Sequence, residues 1–500
     1  MRIKFLIILV FFLLNSIVIH AQFYNGSQVE FGKCRIQYKL GEWSFYRFDR
    51  FDVFFYVGGK ELSIRIAKCA NQILKETEDR FGYELEDRFQ IILFDRLSDL
   101  KQNNLGTSGE SRSSLGGTRQ RIGSKILIYA GEGDVSVIKQ LRSGISELMV
   151  SAFLIGTDLR DRLRTSATMN IPFWYHYGLI SWFSESWSSE MENLVRDGFI
   201  YGRISHLESL TGRDAVIAGH AFWYYIADKF GEGLIPDILD HANATRSIDE
   251  GFKVILGMST KELIKDWVSY FMKNFAGSQD LFDAMHENLR SGKSHSGDVF
   301  SQIKISPDGE KLIWVKNNHG KKSIWISSFD NRKSKKIASF GSRLADITDH
   351  SFPIIAWNPN GKEFIWSEEL EGRLRLSYFN TETNKTEYKW IDFLQKIYSM
   401  DIASDGKNIV MSGVRNGKLD LFIFNNSTNI FKQITDDFWD EKDPKWLDGN
   451  TSFSFTSNRT SDSVLIRQEV PVKGHAAHDI FLCKLSGPMS NFLRLTQTPR

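Results

Sequence analysis

The chain is short of cysteine, of proline and of net charge: 3 Cys and 9 Pro in 500 residues, with 63 Lys+Arg against 61 Asp+Glu. Three cysteines, Cys34, Cys69 and Cys483, cannot build a disulfide scaffold or a four-thiolate metal site. At most one bridge forms, and Cys34 with Cys69 is the nearer pair in sequence. A formal charge of +2 without a long basic run excludes nucleic acid as the expected partner. No stretch of 18 apolar residues lies beyond the first 22 positions, so no transmembrane span is expected in a mature chain. Scarce proline beside 42% hydrophobic and 13% aromatic residues excludes a disordered or collagen-like chain. Gly-x-Ser-x-Gly elbows, Walker loops and a Gly-x-Gly-x-x-Gly following a strand are likewise missing.

The first 22 residues have the layout of an export signal. Arg2 and Lys4 precede an apolar run from Phe5 to Ile19 broken only by Asn15 and Ser16, and His20-Ala21-Gln22 follows. That pattern predicts a signal peptide over 1–21, cut after Ala21. A membrane anchor is the other reading, but about 15 apolar residues fall short of the ~20 that a spanning helix needs. No cysteine follows the cut, so no lipid is expected there. The expected location is periplasmic or secreted, with peripheral association to an outer membrane as its extension.

At ~150 residues per domain, 500 residues suggest about three units, and the hydrophobic period changes once along the chain. Residues 22–276 mix strand runs at Phe51–Val57, Phe89–Phe94 and Lys125–Tyr129 with helical spacing over Leu62–Phe81 and from Asp134 to Phe275. A polar stretch, 277–298, reads as a linker. From 299 to 500 the period is two, and a turn recurs: Ser306-Pro307-Asp308-Gly309, Asn358-Pro359-Asn360-Gly361, Ala403-Ser404-Asp405-Gly406 and Trp446-Leu447-Asp448-Gly449. Strand-rich repeats of ~40–50 residues are the mark of propeller blades, and four are expected.

Gln433-Ile434-Thr435, Asp443-Pro444-Lys445-Trp446-Leu447-Asp448-Gly449 and Phe455-Thr456-Ser457-Asn458-Arg459 together resemble the repeat of TolB-type propellers. Arg494-Leu495-Thr496 looks like the end of the fourth repeat, so 497–500 are expected to lead toward a fifth and the ring to be incomplete in this sequence. The resemblance implies a fold; such propellers serve in envelope proteins, peptidases and binding modules alike.

Residues 50–275 resemble the gluzincin, or peptidase MA-like, metallopeptidases in the order of their elements. A Gly-rich loop and the strand Lys125–Tyr129 lead to a helix with Gly144-Ile145-Ser146-Glu147-Leu148, then to Trp174-Tyr175-His176-Tyr177-Gly178, then to Ala218-Gly219-His220-Ala221-Phe222-Trp223. Zinc peptidases of that kind need two histidines one turn apart, a glutamate beside the first and a third carboxylate on a later helix. The resemblance places Ser146 and Val150 at the histidine positions, Glu147 at the general base and Tyr177 at the third ligand. Only the glutamate is retained, so the site is read as vestigial, with no catalytic residue, no metal and no cofactor. His286-Glu287 lacks a second histidine, and His475 with His478 sits in an apparent insertion in blade four.

The fold class expected is therefore multidomain: an α/β, mostly α, zincin-like domain followed by an all-β propeller of at least four blades. The expected function is non-catalytic binding of protein partners in the cell envelope, with His176, His220 and Trp174 as candidate binding residues in the old cleft and the propeller face as a second surface. The rival is an active hydrolase. One form uses a cryptic metal site of His176, His220 and Glu147; the other belongs to a propeller peptidase whose catalytic domain lies outside these residues.

Overall fold

The computed structural model describes residues 42–56, 58–102, 112–114, 117–131, 133–155, 170–275, 297–329, 334–343, 349–437, 439–447, 450–459, 477–485 and 491–498. The expected signal peptide, Cys34, most of the expected linker, His286-Glu287 and His475 lie outside them. Cys69 and Cys483 are both buried, as their apolar surroundings in sequence suggest.

The first half is built on a six-stranded sheet in the order β1-β2-β3-β6-β5-β4. Its strands are β1 Trp43–Arg47, β2 Phe51–Tyr56, β3 Phe89–Phe94, β4 Arg112–Ser114, β5 Gly117–Ile122 and β6 Lys125–Tyr129. The three central strands β2, β3 and β6 run parallel, and β1, β5 and β4 add antiparallel edges. β3 and β6 read Phe-Gln-Ile-Ile-Leu-Phe and Lys-Ile-Leu-Ile-Tyr, near-continuous apolar runs suited to strands buried on both faces.

Helix α1, Lys60–Phe81, crosses between β2 and β3 and buries Leu62, Ile66, Ala70, Ile73 and Phe81, one stripe at helical spacing. Short α2, Leu97–Gln102, follows β3. After β6 come α3 Asp134–Ile155, α4 Phe173–Ser184, α5 Ser189–Ile200, α6 Gly212–Phe230, α7 Ile235–Thr245, α8 Ile248–Leu256 and α9 Thr260–Asn274. Local chemistry starts several of these helices. Ser188 and Ser247 accept a backbone N–H from the first turns of α5 and α8, and Ser259 with Glu262 closes a reciprocal capping box on α9. One core runs from β2, β3 and β6 through α1 and α3 into the aromatic packing of α4, α6 and α9.

Among the described residues, the second half forms four consecutive four-stranded antiparallel sheets. They comprise β7–β10, β11–β14, β15–β18 and β19–β22, spanning Asp298–Phe340, Ile355–Trp390, Lys396–Gln433 and Glu441–Arg494. The first strand begins at Asp298, one residue ahead of the boundary expected from composition. Ile313, Val315 and Ile324 of the first sheet pack on Phe364, Trp366 and Phe379 of the second. Leu374, Leu376 and Tyr378 of the second pack on Ile397, Met411 and Phe422 of the third. Val410 and Leu421 of the third pack on Phe453, Phe455 and Phe481 of the fourth. Face-to-face stacking of successive four-stranded meanders is the propeller arrangement the repeat predicts. No described helix is long and apolar enough to cross a membrane.

Candidate functional site

Two places concentrate polar chemistry: the α3/α4/α6 junction, where the resemblance puts a vestigial site, and the junction between the sheet and the propeller.

At the first, Gln140 fixes α3 to the sheet, its Oε1 accepting from Tyr129 N at 3.1 Å and its Nε2 donating to Tyr129 O at 3.0 Å. Arg142 ties α3 to α1 through Glu76 at 3.1 Å. This orientation buries Ser146, Glu147 and Val150. Ser146 Oγ finds no hydrogen-bond partner among the described residues. A hydroxyl, an isopropyl group and a phenol are not a zinc-ligand set, so the residues at the three expected positions do not fit the metal. Tyr177 is half-buried and packs at a tilt against Phe173, ring centroids 4.3 Å apart, at the first turn of α4.

The candidate binding residues go elsewhere. Trp174 is 1% exposed and packs edge-on against Tyr175 and Phe222, so the structure makes it a core residue and not a surface contact. His220 is fully buried. Its Nδ1 lies 2.8 Å from Ser181 Oγ, and its Nε2 has no hydrogen-bond partner among the described residues. Burial alone pushes its pKa down to about 3, so the ring is neutral at physiological pH. His176 is also buried, against the Tyr177 ring at 4.8 Å. The His220 ring lies beside Ser181 and packs near the rings of Trp182 and Trp187. These positions share an aromatic interior instead of an open cleft wall.

The second place was not legible in the sequence. The parallel strands β2, β3 and β6 end at Tyr56, Phe94 and Tyr129. The loops beyond such ends are where open α/β sheets usually put ligands. Here the propeller's strand-two-to-three hairpins occupy them. Arg96 and Ser98 after β3 bond to Gly372 O and the Glu369 carboxylate, at the β12–β13 tip. Arg65 on α1 lies 3.5 Å from Gly417 O, at the β16–β17 tip. Tyr398 OH donates to Gly131 O at 3.0 Å, after β6. Gly133, with φ +83°, precedes α3, and a Cβ there would stand 2.7 Å from Asp440 Oδ1 and 3.0 Å from Leu419 Cβ.

Behind Asp440 lies a buried ionic cluster. Oxygens of Asp420, Asp437 and Glu441 lie within 4.8 Å of one another. Arg459 Nη2 donates to Asp437 Oδ2 at 3.1 Å and to Glu441 Oε1 at 2.6 Å, so the cluster contains its own cation. Ser457 and Thr435 donate to the two Glu441 oxygens at 3.1 Å each. One guanidinium cannot balance three carboxylates. Burial first, and Asp437 next, raise Asp420 to about 8. The same two causes raise Glu441 well above the usual range, and burial raises Asp437.

Blades three and four share the underlying lock. Thr435 Oγ1 accepts from Leu421 N, and Thr496 Oγ1 accepts from Ile480 N, both at 2.8 Å. Asp420 accepts from Asp437 N and Gln433 Nε2; Asp479 accepts from Thr498 N and Arg494. Blade four thus supplies a cation where blade three supplies a neutral amide.

No family model matches the chain, and no curated protein matches it. Among solved structures, TolB from Acinetobacter baumannii is similar at 14% identity over 40% of this chain and 45% of its own, with a TM-score of 0.31. The propeller domain of the Trilobed protease from Pyrococcus furiosus follows at 12% identity, 41% and 59% coverage and 0.28. Prolyl oligopeptidase B from Galerina marginata stands at 13%, 41%, 29% and 0.28. The match spans less than two thirds of each of these three proteins, and the propeller assignment of this chain rests on its own four stacked sheets.

Proposed function

We propose that the chain is a non-catalytic, exported cell-envelope protein that binds protein partners through the rim of a pseudo-peptidase cleft and the free face of its propeller. The observation that carries this reading is the donor set on α3 and α4. Ser146 and Val150 flank Glu147 in buried positions, and the peptidase resemblance puts Tyr177 where the third carboxylate would stand, a set of side chains that would not hold a hydrolytic water on a metal. Phe173 and Tyr177, in tilted contact and half-buried, give the rim an aromatic edge.

On the propeller, hairpin tips of blades two and three are already docked on the sheet. The strand-one-to-two turns lie at the opposite strand ends and carry exposed Asp308, Lys362 and Asp405. Neighbouring turns brace one another: Ser404 Oγ donates to Asn450 Oδ1 at 2.8 Å. An array of loops on packed sheets is a general-purpose protein-binding surface.

The rival hydrolase gains from one observation: His220 is neutral and its Nε2 lacks a hydrogen-bond partner among the described residues, as a metal ligand freed of its ion would. Elemental analysis of natively purified protein separates the two. No stoichiometric zinc, with a co-purifying protein lost on Tyr177→Ala, supports the binding reading. About one zinc per chain, with chelator-sensitive peptidase activity lost on Glu147→Gln, overturns it.

A further inference from the structure

The described residues that join blade three to blade four, Thr435–Asp437 and Trp439–Glu441, are held at both ends by the ionic cluster and touch the first domain at Asp440. Asp437 N donates to Asp420 Oδ1, Trp439 N donates to Asp437 Oδ1, and Asp440 N donates to Asn458 Oδ1 at 2.8 Å. At the far end Ser412 Oγ donates to Glu441 O, and the Glu441 carboxyl sits on Arg459. Between them Asp440 presses against Gly133 at the start of α3, where a side chain larger than hydrogen has no room. Any displacement of Asp437 or Glu441 is therefore carried to the seam within a few bonds.

We propose that the Asp420–Asp437–Glu441–Arg459 cluster is a proton-holding latch, which seats the crossover segment on the first turn of α3 while protonated and releases it when its protons are lost. The charge arithmetic favours retained protons at this site. Three carboxyl groups and one guanidinium are neutral together only if two protons are retained. Losing them places like charges within 4.8 Å in a site that water does not reach. The surrounding groups relieve this repulsion only in part, Lys418 drawing the Asp437 carboxyl down against its burial. From blade three the cluster faces Lys418, which already pairs with Asp436 at 2.9 Å, and neutral Gln433 and Ser412. From blade four it faces Arg459, Ser457 and Asn458, and between Asp437 and Glu441 the chain carries a further buried carboxylate, Asp440, which meets the Gly133 backbone across the seam. Arg494, the cation of the equivalent lock, is spent on Asp479. This inference concerns coupling between the domains and does not rest on the partner reading above.

Hydrogen–deuterium exchange on the full chain tests it, comparing pH 6 with pH 9.5 after correction for intrinsic exchange. In the wild type, protection of amides in the first turn of α3, Val137 among them, should fall about tenfold or more with a midpoint near 8. Blade-core amides of Val410 and Phe422 should stay protected. Asp420→Asn, which cannot ionise, should hold the seam closed across the range. A flat wild-type profile, an equal loss in Asp420→Asn, or simultaneous loss in the blade core would each overturn the latch. Should Asp420→Asn fail to fold, infrared absorption of protonated carboxyl groups in the wild type decides. Its disappearance over the interval in which the seam opens supports the latch; disappearance elsewhere sinks it.

Discussion

Gly219 on α6 sits directly beneath the carbonyl of Trp174 on α4: a Cβ at that position would lie 2.0 Å from the oxygen and 2.7 Å from Gly178 Cα. The two helices cross backbone to backbone, and this contact fixes where His220 and Ser181 meet. Gly219→Ala is expected to destabilise the first domain by about 3 kcal/mol, since the obstacle is main chain and cannot rotate away. Gly233→Ala, with nothing within 4 Å, is the control. Thermal unfolding of the two variants should differ by several degrees; equal midpoints would refute the crossing.

Restoring the donor set should restore metal binding. Ser146→His with Val150→His sets two imidazoles one turn apart beside Glu147, and Tyr177→Glu adds a carboxylate from α4. The triple variant is expected to gain calorimetrically measurable Zn²⁺ affinity that the wild type lacks. No gain in a folded variant would mean that α3 and α4 do not converge as the peptidase resemblance implies.

Lys396, 6% exposed, pairs with Asp349 at 3.0 Å. Burial pushes Asp349 up, but Lys396 and Lys322, with Ser351, outweigh it and hold the carboxyl well below its usual range. A depressed folded value makes the contribution complete above pH ~4 and lost as the solution is acidified further. Lys396→Met should cost about 3–5 kcal/mol at neutral pH, because it strands a buried charge. Denaturant melts at pH 7 and pH 3 should show the variant and wild type converging at the lower pH.

Asp420 has the opposite sign. Its raised folded value means that the native state binds a proton the unfolded chain has released, so stability falls as pH rises from ~4 to about 8 and levels off beyond. The slope is about 1.4 kcal/mol per pH unit from this group alone. Asp420→Asn should flatten that slope in pH-dependent denaturation, and an unchanged slope would assign it to another group.

The mature chain is expected to begin at Gln22. Mass spectrometry of the native N-terminus checks this, and retention of Met1 on membrane-embedded protein would refute both cleavage and location.

The propeller was the most legible part of the molecule, because Asp-Gly and Asn-Gly turns at regular intervals are local and each is followed by a strand of period two. The parallel core of the first domain was legible for the same reason, as short apolar runs around one amphipathic helix. The seam was not: Arg65, Arg96, Gly131 and Gly133 meet residues about 270 to 350 positions away. Arg459 belonged to a recognised repeat motif, yet nothing local revealed that Asp420 and Glu441 would share its interior. Trp174 and His220 stood as candidate binding residues because the peptidase resemblance puts their helices beside the cleft. Their burial follows from the Gly178–Gly219 crossing, which periodicity does not report.

The placement of the hairpin tips on the ends of β2, β3 and β6 also imposes an order of events during synthesis. The sheet and α1 are complete long before residues 369–440 leave the ribosome. Until then the loops after β2, β3 and β6 stand bare, with the apolar side of the β2–α1 junction, Leu62 included, lacking its Gly417 neighbour. Nascent first domain is therefore the species most in need of a chaperone, and truncation before blade three should shorten its lifetime in the cell more than any loss inside the helices would suggest.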